Sequence, residues 1–236
     1  MRPRVALLFI LPLTMLLRGE QVCFAEGKQI SLPGWGVFID PDGDCTAQAL
    51  EEGLVIEVPG TLHNMTVLQN DPSKRYNAPR VMREIEGDFV ARVKVTADFR
   101  PGPGIAGCQF SPTVFAGLLI WDAEDQLIRF GKGVTNHPER GLYCSLQPIY
   151  DVGKVRANKW EATTAAEYVE PRVVWVRIER KGQSILTALS GDGIKWHQTA
   201  VLQTILPPRI TIGPVVVNAT SQPFKAGFQM YQVGQD

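Results

Sequence analysis

Two short stretches carry the pattern that most limits what this chain can fold into. Phe89, Ala91, Val93 and Val95 alternate with Val90, Arg92 and Lys94, and Val174, Val176 and Ile178 alternate with Trp175, Arg177 and Glu179. A repeat of two places one set of side chains on a core and the other toward solvent, as in a half-buried strand. Ten further segments read as strands: Gly34–Ile39, Leu54–Val58, Arg80–Ile85, Val114–Trp121, Gln126–Phe130, Leu142–Tyr150, Ser184–Leu189, Trp196–Leu202, Ile210–Val217 and Phe224–Val233. Gly, Pro and Asp punctuate them, so the expected fold is an all-β sandwich or barrel. Helical signal is confined to Ala162–Tyr168, where Thr163 and Thr164 weaken it and Pro171 closes it. Phe99 to Pro112, with three prolines and three glycines, reads as a long loop.

The N-terminus predicts export. Arg2 and Arg4 precede an apolar run from Val5 to Leu17, too short to span a bilayer but the right length for the core of a secretory signal peptide. Cleavage is expected after Ala25, which makes residues 1–25 a leader and residues 26–236 a single domain, secreted or periplasmic. No lipobox surrounds Cys23, and no later segment predicts membrane insertion. With Arg2, Arg4, Arg18 and Glu20 removed, 21 basic and 23 acidic residues remain, a net charge of −2. Such a surface offers nucleic acid no basic patch.

Three cysteines remain in the mature chain, Cys45, Cys108 and Cys144. Export permits one disulfide among three pairings, and three buried thiols are the equal alternative. Their spacing fits no zinc pattern. Asn64-Met65-Thr66 and Asn218-Ala219-Thr220 fit the N-glycosylation pattern, which would put both asparagines in surface loops.

Several segments occur in an order that resembles a known group: Asp40-Pro41-Asp42-Gly43-Asp44-Cys45, Asn77-Ala78-Pro79-Arg80, Gly87-Asp88-Phe89, Ala116 to Asp122, Trp175 to Arg180, and Ser190-Gly191-Asp192-Gly193 with Trp196. Together they resemble the exported domains of the concanavalin A-like lectin/glucanase superfamily labelled regulation-of-enolase-like. The resemblance covers most of residues 34–231 and implies a jelly-roll sandwich of two antiparallel sheets, one of them concave. It also implies a carbohydrate partner on the concave face, without fixing an activity.

The residues that could meet a sugar are Trp121, Trp175, Trp196 and Tyr143 as stacking rings, with Arg92, Arg129, Arg177 and Glu179 as polar partners, provided that they share the concave sheet. Against each Trp stands the reading of a core residue. Trp196 is expected beneath a short Ser190–Trp196 hairpin, whose Ser and Asp bond the turn backbone. Catalysis would need two carboxylates about 5–10 Å apart. The superfamily's glucanases carry a Glu-x-Asp-x-(x)-Glu strand, and this chain has none. The nearest match is Glu84, Glu86 and Asp88, interrupted by Gly87, with Glu179 as a second candidate. No catalytic set is assigned, so binding is preferred over a glycoside hydrolase with a non-standard site, and an envelope protein-interaction domain is the third reading.

Asp40, Asp42 and Asp44 place three carboxylates in five residues, the one candidate for a metal, and calcium is the ion such a loop would take. Counted from Asp40 as an EF-hand, Glu51 falls at position twelve, but Gly43 is fourth rather than sixth. His63, His137 and His197 lie at no metal-ligand spacing and near no nucleophile motif. No nucleotide or other cofactor motif is present.

Overall fold

A computed structural model describes residues 27–66, 75–123, 126–145, 149–152 and 172–235. The leader expected at 1–25 and the helical turn expected at Ala162–Tyr168 fall outside the described residues. Within them there is no helix. The strands, in chain order, are β1 (Lys28–Leu32), β2 (Gly36–Asp40), β3 (Thr46–Leu50), β4 (Gly53–Val58), β5 (Met65–Thr66), β6 (Arg75–Tyr76), β7 (Arg80–Glu86), β8 (Phe89–Ala97) and β9 (Thr113–Ala123). They continue as β10 (Gln126–His137), β11 (Gly141–Ser145), β12 (Ile149–Val152), β13 (Val173–Lys181), β14 (Ser184–Ser190), β15 (His197–Gln203), β16 (Arg209–Asn218) and β17 (Phe224–Gly234).

They form two antiparallel sheets. The first runs β1-β2-β7-β16-β9-β10-β11, with β12 also on β10, and the second runs β15-β14-β13-β8-β17-β4-β3. Both alternating stretches occupy the middle of the second sheet, where β13 pairs with β8 and Val176 faces Val93 across the ladder. Their core-facing residues Val93, Val95, Val176 and Ile178 are fully buried in one cluster with Ile120, Ile128, Phe130 and Ile212 of the first sheet. This is the shared core.

The strands of the first sheet are apolar on both faces. Leu118 and Ile120 point into the shared core, whereas Phe115 and Leu119 join Met82, Leu127, Val215 and Val217 in a second cluster on the outer face. Met65 of β5 and Tyr76 of β6 cover that cluster. A strand buried on both faces loses its alternation, which is why Val114–Trp121 reads as a continuous apolar run. β16, inside the sheet, carries Pro214, which has no N–H for the ladder. Pairing to β7 is interrupted there, between Ile212↔Arg83 and Val215↔Arg80. Beside it, a Cβ on Gly213 would lie 1.8 Å from the Val81 carbonyl oxygen, so only glycine permits this approach.

β17 contains a bulge. Gln229 pairs with Lys94 and Gln232 with Arg92, so Met230 and Tyr231 together oppose one residue of β8. Met230 is exposed at a φ of 53°. Before the bulge the even residues Ala226 and Phe228 face the core; after it Val233 packs there, and Gln232 turns outward. Tyr231 stacks on Trp35 at 5.5 Å, and its hydroxyl donates to the Ile212 carbonyl at 3.2 Å.

Of the sequence-based strands, Leu142–Tyr150 is two strands rather than one, and β1, β3, β5 and β6 were not foreseen. The loop read at Phe99–Pro112 falls between β8 and β9 as expected. Cys45, Cys108 and Cys144 are all free thiols, with Cys45 and Cys144 buried. Burial pushes the Cys144 thiol up to about 11. Neither glycosylation asparagine is accessible: Asn64 is buried and Asn218 is completely enclosed.

Candidate functional site

The strand parities divide the expected sugar contacts between opposite sides of the sandwich. Trp121 and Arg129 lie on the outer face of the first sheet, and Tyr143 lies there too by its pairing with Thr135. Arg92, Trp175, Arg177 and Glu179 lie on the outer face of the second. The condition that the three arginines share one sheet is not met.

On the first face, Trp121 is already occupied. The Arg80 guanidinium lies 4.7 Å from its ring centroid, and Tyr76 meets it edge-on at 5.6 Å. Arg80 in turn donates to the Tyr76 and Ala78 carbonyls, each at 3.1 Å. Arg129 is buried, stacked 5.0 Å from the Phe115 ring centroid, and Tyr143 is buried as well. These rings are packed within the face rather than presented by it.

The second face is open. An open cleft of about 460 Å³ is lined by Val90, Arg92, Arg177, Trp196, Gln232, Val233, Gly234 and Gln235. Arg92 Nε donates to Gln232 Oε1 at 2.8 Å, a contact that exists because the bulge turned Gln232 outward. Arg177 is held by Glu179 at 2.6 Å. Among the described residues the cleft thus presents one indole, two guanidinium groups and two carboxamides, and no carboxylate.

The two tryptophans of this face exchange the roles expected for them. The Ser190–Trp196 turn has the predicted bonding: Ser190 Oγ donates to Asp192 Oδ1 at 2.9 Å, and that oxygen accepts the Ile194 and Lys195 N–H groups, each at 2.8 Å. These bonds hold the Asp192 carboxyl below the usual carboxylate range. Yet the ring beneath the turn is Trp175, so close that a Cβ on Gly193 would lie 2.7 Å from it. Trp196, half-buried, faces the cleft instead. The turn reverses the chain between β14 and β15, leaving Trp196 just ahead of the edge strand.

A smaller hollow of about 290 Å³ adjoins the cleft, sharing Val90 and Gln235, and is lined by Asp88, Glu179 and Lys181 among others. Glu179 is buried between Lys181 at 2.5 Å and Arg177. The Lys181 hydrogen bond holds its carboxyl below the usual range against the opposing effect of burial, with Arg177 adding to the lowering. A general acid needs the opposite shift. Asp88 lies in the turn at Gly87 (φ 79°) and accepts the Gly182 N–H at 2.7 Å. Glu84 and Glu86 lie on the far sheet, exposed, and both pair with Arg209 at 3.2 and 3.3 Å. The trio Glu84, Glu86 and Asp88 therefore does not converge.

The Asp-rich loop gathers a histidine that sequence spacing did not single out. It crosses from β2 in the first sheet to β3 in the second, and His63 Nε2 lies 2.8 Å from Asp44 Oδ1 and 3.7 Å from Asp42 Oδ2. Burial pushes the Asp44 carboxyl up, but the His63 hydrogen bond and charge outweigh it, so the net shift is downward. Asn77 ties the loop down, donating to Asp42 Oδ2 at 2.6 Å and to the Leu62 carbonyl at 2.7 Å. Two of the segments that carry the sequence resemblance thus meet here, and the Arg80–Trp121 stack joins the second of them to a third.

No family model matches the chain, and no curated protein sequence matches it. Solved structures do. A functionally unknown protein from Saccharomyces cerevisiae aligns over 90% of this chain and 98% of its own, at 12% identity and a TM-score of 0.62. A variant of the GH43 protein BlXynB from Bacillus licheniformis aligns over 77% of this chain at 14% identity and a TM-score of 0.52, and the match spans 33% of that protein. At these identities the likeness is one of fold. The architecture is a jelly-roll sandwich of two antiparallel sheets.

Proposed function

We propose that this chain is an exported carbohydrate-binding module that takes its glycan in the cleft on the outer face of the second sheet, and that it belongs with the regulation-of-enolase-like exported domains. The observation that carries this reading is the lining of that cleft. A pyranose offers a C–H face to an indole and vicinal hydroxyls to groups that donate or accept in pairs. Trp196 supplies the ring, Arg92 and Arg177 supply paired donors, and Gln232 and Gln235 supply both donor and acceptor. Sites of this kind are concave, with a few placed polar groups that fix orientation. The fold shared with part of a GH43 protein is compatible with a carbohydrate partner.

The test is incubation of residues 26–236 with a panel of soluble and insoluble polysaccharides, following protein depletion and sugar release in the same tubes, with and without calcium. Depletion without release is expected. In R177A and W196A, checked as folded by circular dichroism, affinity should fall at least about tenfold, the loss of roughly 1.4 kcal/mol. Unchanged affinity in both variants removes the cleft as the site.

One observation favours a second reading, a glycoside hydrolase: Asp88 and Glu179 both line the adjoining hollow. That reading requires sugar release in the panel and its loss in D88N and E179Q. Release that survives both substitutions eliminates this carboxylate pair.

A further inference from the structure

We propose that Asp40, Asp44, Cys45 and His63 form a binding site for a divalent transition-metal ion of the zinc type, at the rim where the chain crosses between the sheets. The proposal is independent of the carbohydrate reading. One ligand atom from each of the four residues lies within 4.8 Å of all the others. Around zinc, bonds of about 2.0–2.3 Å in tetrahedral array put donors roughly 3.3–3.8 Å apart, so the set closes on an ion by side-chain movements of about an ångström.

The second observation is the Asp40 carboxylate. Asp40 is completely buried; its Oδ2 accepts the Cys45 N–H at 2.8 Å, and its Oδ1 is enclosed with no hydrogen-bond partner among the described residues. A buried carboxylate oxygen without a donor is costly unless a cation meets it. Cys45 and His63 are buried beside it, whereas the side chains of Asp42 and Asp44 are 43% and 42% exposed. The site is therefore closed on its inner side and open on its outer side, which gives an ion an entry path.

The histidine is oriented for the role. Its Nδ1 lies 3.2 Å from the Thr61 carbonyl, so an Nδ1–H donated there leaves Nε2 directed at the carboxylates. That is the arrangement by which a backbone carbonyl fixes the tautomer of a metal-bound imidazole. The donor set also separates this ion from the calcium expected of an Asp-rich loop. Calcium takes six to eight oxygens, and here one donor is nitrogen and one is sulfur. Asp42 stands back, 3.7 Å from Nε2 and bound to Asn77. Loading would displace the Cys45 thiol proton to solvent and replace the His63–Asp44 contact with bonds to the ion. The ion would cross-link the β2–β3 loop to the segment after β4.

The experiment uses residues 26–236, stripped with chelator and dialysed. Titration with Zn²⁺ by calorimetry should show one ion per chain and a raised thermal midpoint. Co²⁺ should give intense tetrahedral d–d bands and a thiolate-to-cobalt charge-transfer band. D40N and H63A should each weaken Zn²⁺ binding at least about 100-fold, beyond the loss typical of an outer partner. If either variant fails to fold, C45S decides: the charge-transfer band disappears while cobalt still binds. Absence of Zn²⁺ and Co²⁺ binding overturns the proposal, as does binding unaffected by all three substitutions. Ca²⁺ bound as tightly as Zn²⁺ also overturns it.

Discussion

Asn218 has no exposed surface, and its side chain ties the turn that follows β16 to Pro59 just after β4. Its Nδ2 donates to the Pro59 carbonyl at 2.7 Å and the Gln222 carbonyl at 2.8 Å, while its Oδ1 accepts the Thr220 hydroxyl at 2.7 Å. Removing such a group strands its partners in the interior, which costs more than the bonds themselves are worth. N218A should lose about 2–4 kcal/mol in urea unfolding, at the upper end for single substitutions. Glu179 shows the same logic for charge. Its folded carboxyl lies below the unfolded value of about 4.3, so its contribution is full above that pH and is lost as pH falls through the folded value. Acid titration of stability should therefore be shallower in E179Q than in the parent chain at the foot of the curve, and parallel curves would show that the Lys181 and Arg177 contacts carry no such linkage. His63 marks the limit of reading residues one at a time. It stands 19 positions from Asp44, and only the crossing of the chain between sheets brings them to 2.8 Å.

The strands were legible because burial of one face imposes a repeat of two, as in β8 and β13, or of both faces a continuous apolar run, as in β9. What escaped was held by pairing rather than pattern. β3, Thr-Ala-Gln-Ala-Leu, is an edge strand of weak β formers, and β5 and β6 have two residues each, too few to show a period. The bulge in β17 was equally invisible, since Gln229 to Val233 shows neither glycine nor proline. Its strained residue makes a test at this scale. Met230 in the left-handed region costs about 1–2 kcal/mol relative to a permissive backbone, partly offset in a glycine variant by that residue's greater unfolded-state freedom of about 0.5–1 kcal/mol. M230G should be neutral or stabilising by up to about 1 kcal/mol, and M230V destabilising, in paired urea melts. The site was partly legible for a related reason: Arg92, Arg177 and Glu179 share a face by counting along strands, but Trp196 and Gln232 reach it through a turn and a bulge that counting ignores.

At the scale of the molecule, the two sheets share the main core, and only the first carries a further, smaller cluster on its outer face. Val93 and Ile178 of the second sheet pack in the same cluster as Ile120 and Phe130 of the first. Loss of one sheet removes the support of the other, so unfolding followed by tryptophan fluorescence and by far-ultraviolet circular dichroism should coincide in one transition. Two separated transitions would mean that the sheets are stabilised independently. Pairings such as β2 with β7, β16 with β7 and β17 with β4 join distant parts of the chain, which sets refolding on the slow side, milliseconds to seconds or longer.

The single extra residue in β17 also bears on how such a face changes over time. Every position beyond Gln229 owes its side of the sheet to the number of residues before it. Laid out as a regular strand, the same letters would turn Gln232 toward the interior and set Tyr231 opposite Arg92, a phenol in place of an amide. In this strand, what the surface displays depends on where the extra residue is taken up as much as on spelling, and chains that agree letter by letter present different chemistry here if the bulge moves.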